Sequence, residues 1–244
     1  MKFLFACILS SVFYVTMGLL LVIFHPVQVI AYNFFGYPAH KKTVDFLNFL
    51  LIINLYTLLC RPSFRGFTGL PVNKPLIIVS NHQSMFDISP VVWGFRKHHA
   101  KFISKKELGR NIPSISYNLK KGGSVLIDRK NHSQSIREIF KLGRLMEERN
   151  YSACLFPEGT RSRTGKIRAF QAGGFKALLK ASPSAIVVPF VINGNYKLHK
   201  YGLFPLDILI KLEYTALEPV SRGELNDEDL LQLIENRIRE SLNN

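Results

Sequence analysis

The sequence predicts an α/β fold with a mixed, mostly parallel sheet flanked by helices, preceded by an N-terminal membrane-associated helical segment. Two observations indicate this. The first quarter of the 244 residues is apolar and almost free of charge. From about residue 70, short apolar runs alternate with amphipathic stretches, the pattern of strands and helices packed in layers. We therefore expect a membrane-anchoring helical segment over residues 1–62 and one α/β domain over residues 63–244.

The N-terminal segment contains two apolar runs. Phe3–Phe24 carries no charge and ends before His25-Pro26. As a helix it would be about 33 Å long, enough to cross a hydrocarbon core. It is too long for a signal peptide and lacks a small-x-small cleavage site. Phe46–Leu59 would give a helix of about 21 Å, which is too short to cross the hydrocarbon core. We therefore expect it to lie in one leaflet or, alternatively, to be a buried helix of the domain.

These runs leave two topologies open: one membrane crossing by residues 3–24, or a two-helix unit seated in one leaflet. The chain has 32 Lys and Arg against 17 Asp and Glu, a net charge of +15. Arg61, Arg65 and the later basic excess predict that the domain lies on the cytoplasmic face, at the inner (plasma) membrane if the source is bacterial. The composition excludes disorder and a many-span transporter.

The later pattern predicts six strands and four helices. The strands are Leu76–Ser80, Lys101–Ser104, Ser124–Asp128, Ser152–Phe156, Ala185–Ile192 and Ile208–Tyr214, and the helices are about 84–95, 133–149, 171–181 and 227–242. Pro189 interrupts one apolar run, which suggests an edge strand or a bulge. Three cysteines without CxxC spacing predict buried, reduced thiols rather than a disulfide scaffold.

The segment Asn81–Asp87 follows the first of these strands, where α/β folds collect functional groups. His82 and Asp87 can hydrogen-bond across a strand-to-helix turn, leaving one imidazole nitrogen as a general base. The alternative is a partly buried histidine satisfied by a local acceptor. No GxSxG motif supplies a nucleophile, so the base would activate a substrate hydroxyl. We find no metal-binding motif and expect neither a metal nor a cofactor.

Two further segments end in arginines. In Phe156–Ser162, Gly159 permits a tight turn, and Thr160 and Arg161 offer hydrogen-bond donors for an anion. Arg129 follows the predicted strand Ser124–Asp128 and would complete a basic pocket beside the histidine. Alternatively, Arg161 pairs with a nearby acid in an ordinary turn, and Arg129 is a solvated charge at the end of a strand.

Four segments in this order resemble the glycerolipid acyltransferase family, whose best-known members are the 1-acyl-glycerol-3-phosphate (lysophosphatidate) acyltransferases. The family's NHxSxxD, GxxFIxR, FPEGTRS and VPxxI-like segments correspond to Asn81–Asp87, Gly123–Arg129, Phe156–Ser162 and Val188–Ile192. The resemblance covers roughly residues 70–195. Leu126 departs from the family pattern, which has Phe there, and Ser114–Asn118 does not follow the pattern of small and aromatic residues expected after Pro113.

The resemblance implies roles for individual residues. His82 would be the general base and Asp87 its orienting partner. Arg129 and Arg161 would contact the phosphate of the acceptor. The positions of Glu158, Gly159 and Thr160 are tied in the family to acceptor binding.

The resemblance also implies a reaction: transfer of a fatty acyl group from acyl-CoA or acyl carrier protein to the sn-2 hydroxyl of lysophosphatidate, forming phosphatidate. The partners would be these substrates, the bilayer and, if it is the donor, acyl carrier protein. Related enzymes acylate lysophospholipids, glycerol-3-phosphate or lyso-ornithine lipid, so these acceptors remain alternatives. A non-enzymatic anionic-lipid or nucleic-acid tether is a distant alternative, and the sequence lacks recognised nucleic-acid motifs.

Overall fold

The structure, a computed structural model, describes residues 1–223 and 225–243. Its centre is a seven-stranded sheet with the order β1-β7-β6-β2-β5-β3-β4. All neighbouring strands are parallel except β6 and β7. The predicted mixed, mostly parallel sheet is thereby confirmed. The strands are β1 Arg61–Arg65, β2 Leu76–Ser80, β3 Ala100–Lys105, β4 Val125–Ile127, β5 Ser152–Leu155, β6 Ile186–Asn193 and β7 Lys211–Ala216.

Helices cover both faces of the sheet. They are α1 Lys2–Asn54, α2 Ile88–Gly94, α3 Ile115–Lys121, α4 His132–Arg149, α5 Ala172–Ala181 and α6 Asp227–Asn243, with short 3-10 turns at Leu55–Leu58, Met85–Asp87, Arg96–His98, Lys106–Gly109 and Asn195–His199. One apolar core joins the sheet to α1 and α2, and a second joins its other face to α4, α5 and α6. The fully buried β2 lies between the two cores.

Helix α1 is a hairpin of two arms. Gly36 is not helical, with φ of 74° and ψ of −171°, and separates a first arm (residues 2–35) from a second arm (residues 37–54). The arms are antiparallel, because Asn54 donates to the Phe13 carbonyl at 3.0 Å and the rings of Phe24 and Phe46 lie 5.9 Å apart. The hairpin forms because glycine adopts positive φ without steric cost.

The first arm runs past the point where its apolar sequence ends. The His25-Pro26 pair suggested an end there, but the helix continues to Gly36 because later residues pack against the rest of the protein: Ala31 is buried and the ring of Tyr32 lies against that of Tyr117. Packing thus outweighs the backbone hydrogen bond that a proline cannot donate. Phe46–Leu59 forms the end of the second arm and the following 3-10 turn.

The hairpin lies along the domain instead of projecting from it. Contacts between the first arm and the domain occur over most of the arm's length: Lys2 with Asp207, Ser10 with Leu206, Phe13 with Phe86, Leu21 with Ser114 and Tyr32 with Tyr117. Among the residues that the structure describes, Lys2–Leu58 is the one helix long and apolar enough to cross a membrane by length and composition.

The predicted strands are all present, although β7 begins at Lys211 rather than Ile208. The predicted helices 133–149, 171–181 and 227–242 match α4, α5 and α6, while 84–95 comprises a 3-10 turn followed by α2. β1 and α3 were not predicted. β1 spans the predicted boundary between residues 62 and 63, and its edge position explains its polar sequence, since edge strands tolerate charge and proline.

Of the two alternatives expected at Pro189, the edge strand was wrong, but a bulge-like step in the pairing is present: between the pairs Phe190–Ala216 and Val187–Val220, two residues on β6 face three on the partner segment. β6 lies inside the sheet, between β2 and β7. The carbonyl of Pro189 accepts from Leu217 at 2.9 Å, and its nitrogen therefore faces the same side, just beyond the end of β7. Regular pairing between β6 and β7 ends at Phe190 and Ala216, and antiparallel pairing resumes at the Val187–Val220 bridge, so the proline lies in the step between them and interrupts no regular ladder hydrogen bond.

Candidate active site

The site lies at the carboxyl ends of β2, β4 and β5. Asn81, the first residue after β2, joins this strand to β6 through its side chain. Its amide donates to the Ile192 carbonyl at 2.8 Å and its oxygen accepts from the Ile192 N–H at 2.9 Å. This reciprocal pair fixes the point at which the chain leaves the sheet, and His82 is the next residue.

The structure brings His82 and Asp87 together. Their Nδ1 and Oδ2 atoms lie 2.8 Å apart. Oδ2 also accepts the backbone N–H groups of Gln83 and Ser84 at 2.7 and 2.9 Å. A carboxylate only accepts hydrogen bonds, so Nδ1 of the neutral imidazole carries the proton and Nε2 has a free lone pair. The Asp87 side chain is fully buried, whereas that of His82 is 16% exposed.

The Phe156–Ser162 turn wraps around the histidine. The ring of Phe156 stacks on the imidazole with centroids 4.2 Å apart and an interplanar angle of 20°. The backbone N–H of Ser162 donates to the His82 carbonyl at 2.7 Å. The predicted anion-binding turn and the predicted base therefore form one unit.

Glu158 is turned inward. One carboxylate oxygen accepts the backbone N–H of His82 at 2.7 Å and the other accepts that of Arg168 at 3.0 Å. The residue is only 4% exposed, and burial raises the pKa of its carboxyl group. Glu158 thus ties the segment that follows it to the histidine. The next residue, Gly159, has φ of 68°, a conformation that favours glycine.

Arg129 contacts the turn that carries Arg161. Arg129 Nη1 donates to the Gly159 carbonyl at 2.6 Å. Burial lowers the pKa of Arg129, and the nearby charge of Arg161 lowers it further. Thr160 and Arg161 also line an open pocket of about 450 Å³, together with Ser162, Arg163, Thr164, Lys166, Ile167 and Arg168.

This pocket is cationic. Among residues 1–223 and 225–243, its four basic side chains, Arg161, Arg163, Lys166 and Arg168, form no ion pair with an acid. It is therefore suited to an anionic ligand. Within the same described residues, no group of three or more His, Cys, Asp or Glu side chains is placed to hold a metal ion.

Sequence reasoning missed two residues that contact the Asn81–Asp87 segment, Asn195 and His199, and a third, Tyr214, that supports Asn195. Asn195 donates to Asp87 Oδ1 at 2.6 Å, and the Tyr214 hydroxyl donates to Asn195 Oδ1 at 2.9 Å. Nε2 of His199 lies 2.7 Å from Ser84 Oγ. The one available signal was the polar sequence Asn193-Gly194-Asn195 directly after an apolar strand, since strand ends meet at one edge of a parallel sheet.

Comparisons with known proteins agree with this geometry. Residues 61–193 match the acyltransferase family model. A 1-acyl-sn-glycerol-3-phosphate acyltransferase from Cocos nucifera is 29% identical over 67% of this chain and 51% of its own length. The alpha enzyme of that name from Ovis aries is 24% identical over 82% of this chain and 68% of its own. This chain thus spans about half the length of the coconut relative.

The fold has a solved counterpart. The crystal structure of the 1-acyl-sn-glycerophosphate acyltransferase PlsC from Thermotoga maritima superposes with a TM-score of 0.79, covering 99% of this chain and 96% of the other at 23% identity. Since the family model covers more than half of the sequence and includes His82, Asp87, Arg129 and Arg161, this chain belongs to the acyltransferase family.

Proposed function

We propose that this protein transfers a fatty acyl group from acyl-CoA or acyl carrier protein to the sn-2 hydroxyl of 1-acyl-glycerol-3-phosphate, forming phosphatidate. The observation that carries the proposal is the His82–Asp87 pair, 2.8 Å apart, beside a pocket whose basic side chains form no ion pair with an acid among the described residues. The names of the coconut and sheep relatives support the choice of acceptor.

The reaction needs one proton acceptor, and His82 supplies it. Nε2 takes the proton of the acceptor hydroxyl as its oxygen attacks the thioester carbonyl carbon. Asp87 holds the ring by its Nδ1–H and stabilises the imidazolium that forms. The tetrahedral intermediate collapses with formation of the ester and cleavage of the C–S bond, and the imidazolium returns its proton to the departing thiolate. No cofactor enters the chemistry.

Arg129 and Arg161 are suited to bind the phosphate of the acceptor. A guanidinium presents a planar fork of donors that matches phosphate oxygens. Arg129 is held in place by the Gly159 carbonyl, and the side chain of Thr160 lines the same pocket as Arg161. A phosphate bound there would place the glycerol hydroxyl beside His82, because the turn wraps around that residue.

The hairpin supports a seat in one leaflet rather than a crossing. Its first arm contacts the domain from Lys2 to Tyr32, so it cannot leave the domain to span a bilayer without losing these contacts. Its outer side exposes large apolar residues such as Val15, Leu19 and Ile30. The domain would then rest on the membrane surface, on the cytoplasmic side by the charge distribution, with lysophosphatidate reaching His82 from the leaflet.

The substrate assignment is tested with detergent-purified protein. Lysophosphatidate, lysophosphatidylcholine, lyso-ornithine lipid and glycerol-3-phosphate would each be supplied with acyl-CoA or acyl carrier protein, and lipid product and free thiol measured. We expect phosphatidate from lysophosphatidate, with one molecule of thiol released per ester formed. Turnover with another acceptor alone would reject the proposed substrate, and absence of turnover with every pair would reject acyl transfer.

A further inference from the structure

The loop Tyr201–Leu209, which precedes β7, presents three large apolar side chains to solvent. Leu203, Phe204 and Leu209 are 63%, 52% and 63% exposed. Single exposed apolar residues are common on soluble proteins, but clusters mark binding surfaces. Here, three such residues lie within seven positions of one loop, which we call the 201–209 loop.

The 201–209 loop is bound to the first arm of the hairpin and to the 3-10 turn that follows the second arm. The Tyr14 hydroxyl donates to the Leu203 carbonyl at 2.6 Å, the Leu206 N–H donates to Ser10 Oγ at 2.9 Å, and the Leu209 N–H donates to the Leu58 carbonyl at 3.1 Å. Lys2 adds an ion pair to Asp207 at 2.9 Å. The apolar side chains of the loop therefore have defined positions relative to the hairpin.

These contacts bring the loop to the end of the hairpin where both arms expose apolar residues. Phe5 and Ile8 of the first arm are 47% and 55% exposed, and Leu59, which follows the second arm, is 42% exposed. The loop lies between these two groups, because it is bonded to Ser10 on one side and Leu58 on the other. We call the exposed apolar side chains of the loop and of this end of the hairpin, taken together, the apolar surface.

Basic residues border this surface. Lys197 and Lys200 precede the loop, Lys211 follows it, and the Arg61 N–H donates to the Ile210 carbonyl at 2.9 Å; all four side chains belong to exposed residues. None of them forms an ion pair within the described part of the chain. Apolar residues edged by cations suit an anionic bilayer. A second copy would instead oppose one basic border to another.

We propose that the 201–209 loop is a third membrane-inserting element, which places Leu203, Phe204 and Leu209 among lipid chains and the neighbouring cations at the phosphate level. The proposal rests on the membrane seat of the hairpin proposed above. It also concerns catalysis, because His199 lies two residues before the loop, 2.7 Å from Ser84 and stacked on Phe86 at 5.7 Å. Lipid contact would thus reach the turn that holds Asp87.

Depth measurements with a fluorophore test this. Leu203→Cys would be made in a Cys7→Ser background, with the buried Cys60 and Cys154 retained. The labelled protein would be reconstituted into phosphatidylcholine and phosphatidylglycerol vesicles whose acyl chains carry bromine as a quencher. Val12→Cys on the first arm is the positive control. Leu225→Cys is the negative control. This exposed residue lies two positions before α6, which packs on the face of the sheet opposite to the hairpin.

We expect the label at position 203 to be quenched as strongly as that at position 12, and several-fold more than that at position 225. Quenching at 12 but not at 203 would overturn the loop proposal and leave the seat of the hairpin intact. Absence of quenching at 12 would overturn both. Dimers cross-linked through the cysteine at position 203 would show that a second copy covers the loop, and would also overturn the proposal.

Activity gives an independent measurement. Leu203→Ser combined with Phe204→Ser should lower the rate several-fold on a long-chain acceptor embedded in vesicles and leave the rate on a dispersed short-chain acceptor unchanged. Leu225→Ser should alter neither rate. An equal loss on both acceptors would mean that the loop supports the fold of the site rather than its contact with lipid.

Discussion

The side-chain amide of Asn195 donates from Nδ2 to Oδ1 of Asp87 at 2.6 Å. Asn195 is fully buried, and its own oxygen accepts from Tyr214 at 2.9 Å, which fixes the orientation of the amide. Since Oδ2 of Asp87 accepts from His82 and two backbone N–H groups, both carboxylate oxygens have donors. The carboxylate is therefore held in the plane that His82 requires.

We predict that Asn195→Ala lowers kcat about tenfold with little change in KM for either substrate. The loss of one buried hydrogen bond to a charged group costs roughly 1.5–3 kcal/mol. Here that bond holds Asp87, which positions His82. Steady-state kinetics would measure both parameters. Asn193→Ala is the matched control, since that side chain bonds Glu213 and does not touch Asp87. An unchanged kcat in Asn195→Ala would show that Asp87 is positioned without it.

Arg161→Ala should raise KM for the phosphate-bearing acceptor about 10- to 100-fold, the value of one or two charge-assisted hydrogen bonds, and leave KM for the donor unchanged. Arg137→Ala is the control, since that side chain is 68% exposed on α4. Kinetics with each substrate varied in turn would separate the two effects. A rise in the donor KM alone would assign the pocket to the acyl donor.

Glu158→Gln should lower Tm and loosen the turn. A carboxylate accepts both backbone N–H groups that face Glu158, whereas the NH2 of a glutamine cannot accept, so one buried donor loses its partner at a cost of about 1–3 kcal/mol. Thermal unfolding in detergent would measure the loss, with Glu148→Gln on the exposed side of α4 as the control. A Tm equal to wild type, with acceptor binding alone weakened, would instead indicate direct contact with substrate.

Lys101 predicts a pH dependence of stability. It is 4% exposed, lies over the rings of Tyr37 and Tyr151, and burial lowers its pKa to about 7 from 10.5. The nearby charge of Lys41 contributes to this lowering of the pKa, and the charge of Asp45 opposes it. Between these pH values the unfolded chain binds more protons than the folded chain, so the free energy of unfolding rises with pH.

Lys101→Met should flatten this rise and increase Tm at pH values near and below 7. The exposed Lys97→Met should keep the wild-type profile. Thermal unfolding between about pH 6.5 and 9.5 covers the range set by the lowered pKa. A wild-type profile that falls with pH, or one that Lys101→Met does not alter, would contradict the assignment.

The sequence predicted what depends on local pattern. Fully buried strands such as β2 and β5 are continuous apolar runs, and α4 and α6 have one apolar face each, so these elements were found within a few residues. β1 was missed because the edge strand Arg61–Arg65 is polar. The short α3 was missed because seven residues carry too little periodicity.

The site was partly predictable for a related reason. His82 and Asp87 are five residues apart, so their contact could be inferred from one turn. The bond from Asn195 to Asp87 joins positions 108 residues apart and exists only because β2 and β6 are neighbours in the sheet. The inward orientation of Glu158 likewise depends on the backbone path of the turn, which residue types alone do not specify.

We propose that His82 accepts the proton of an acceptor hydroxyl during transfer from an acyl thioester. The rates of phosphatidate formation and thiol release would be measured for wild type, His82→Ala and His132→Ala. His132→Ala is the control, because His132 is exposed at the start of α4. We predict a loss of about 10²–10⁴-fold in His82→Ala at unchanged Tm, and wild-type rates in His132→Ala. Equal rates for wild type and His82→Ala would show that His82 does not accept the proton.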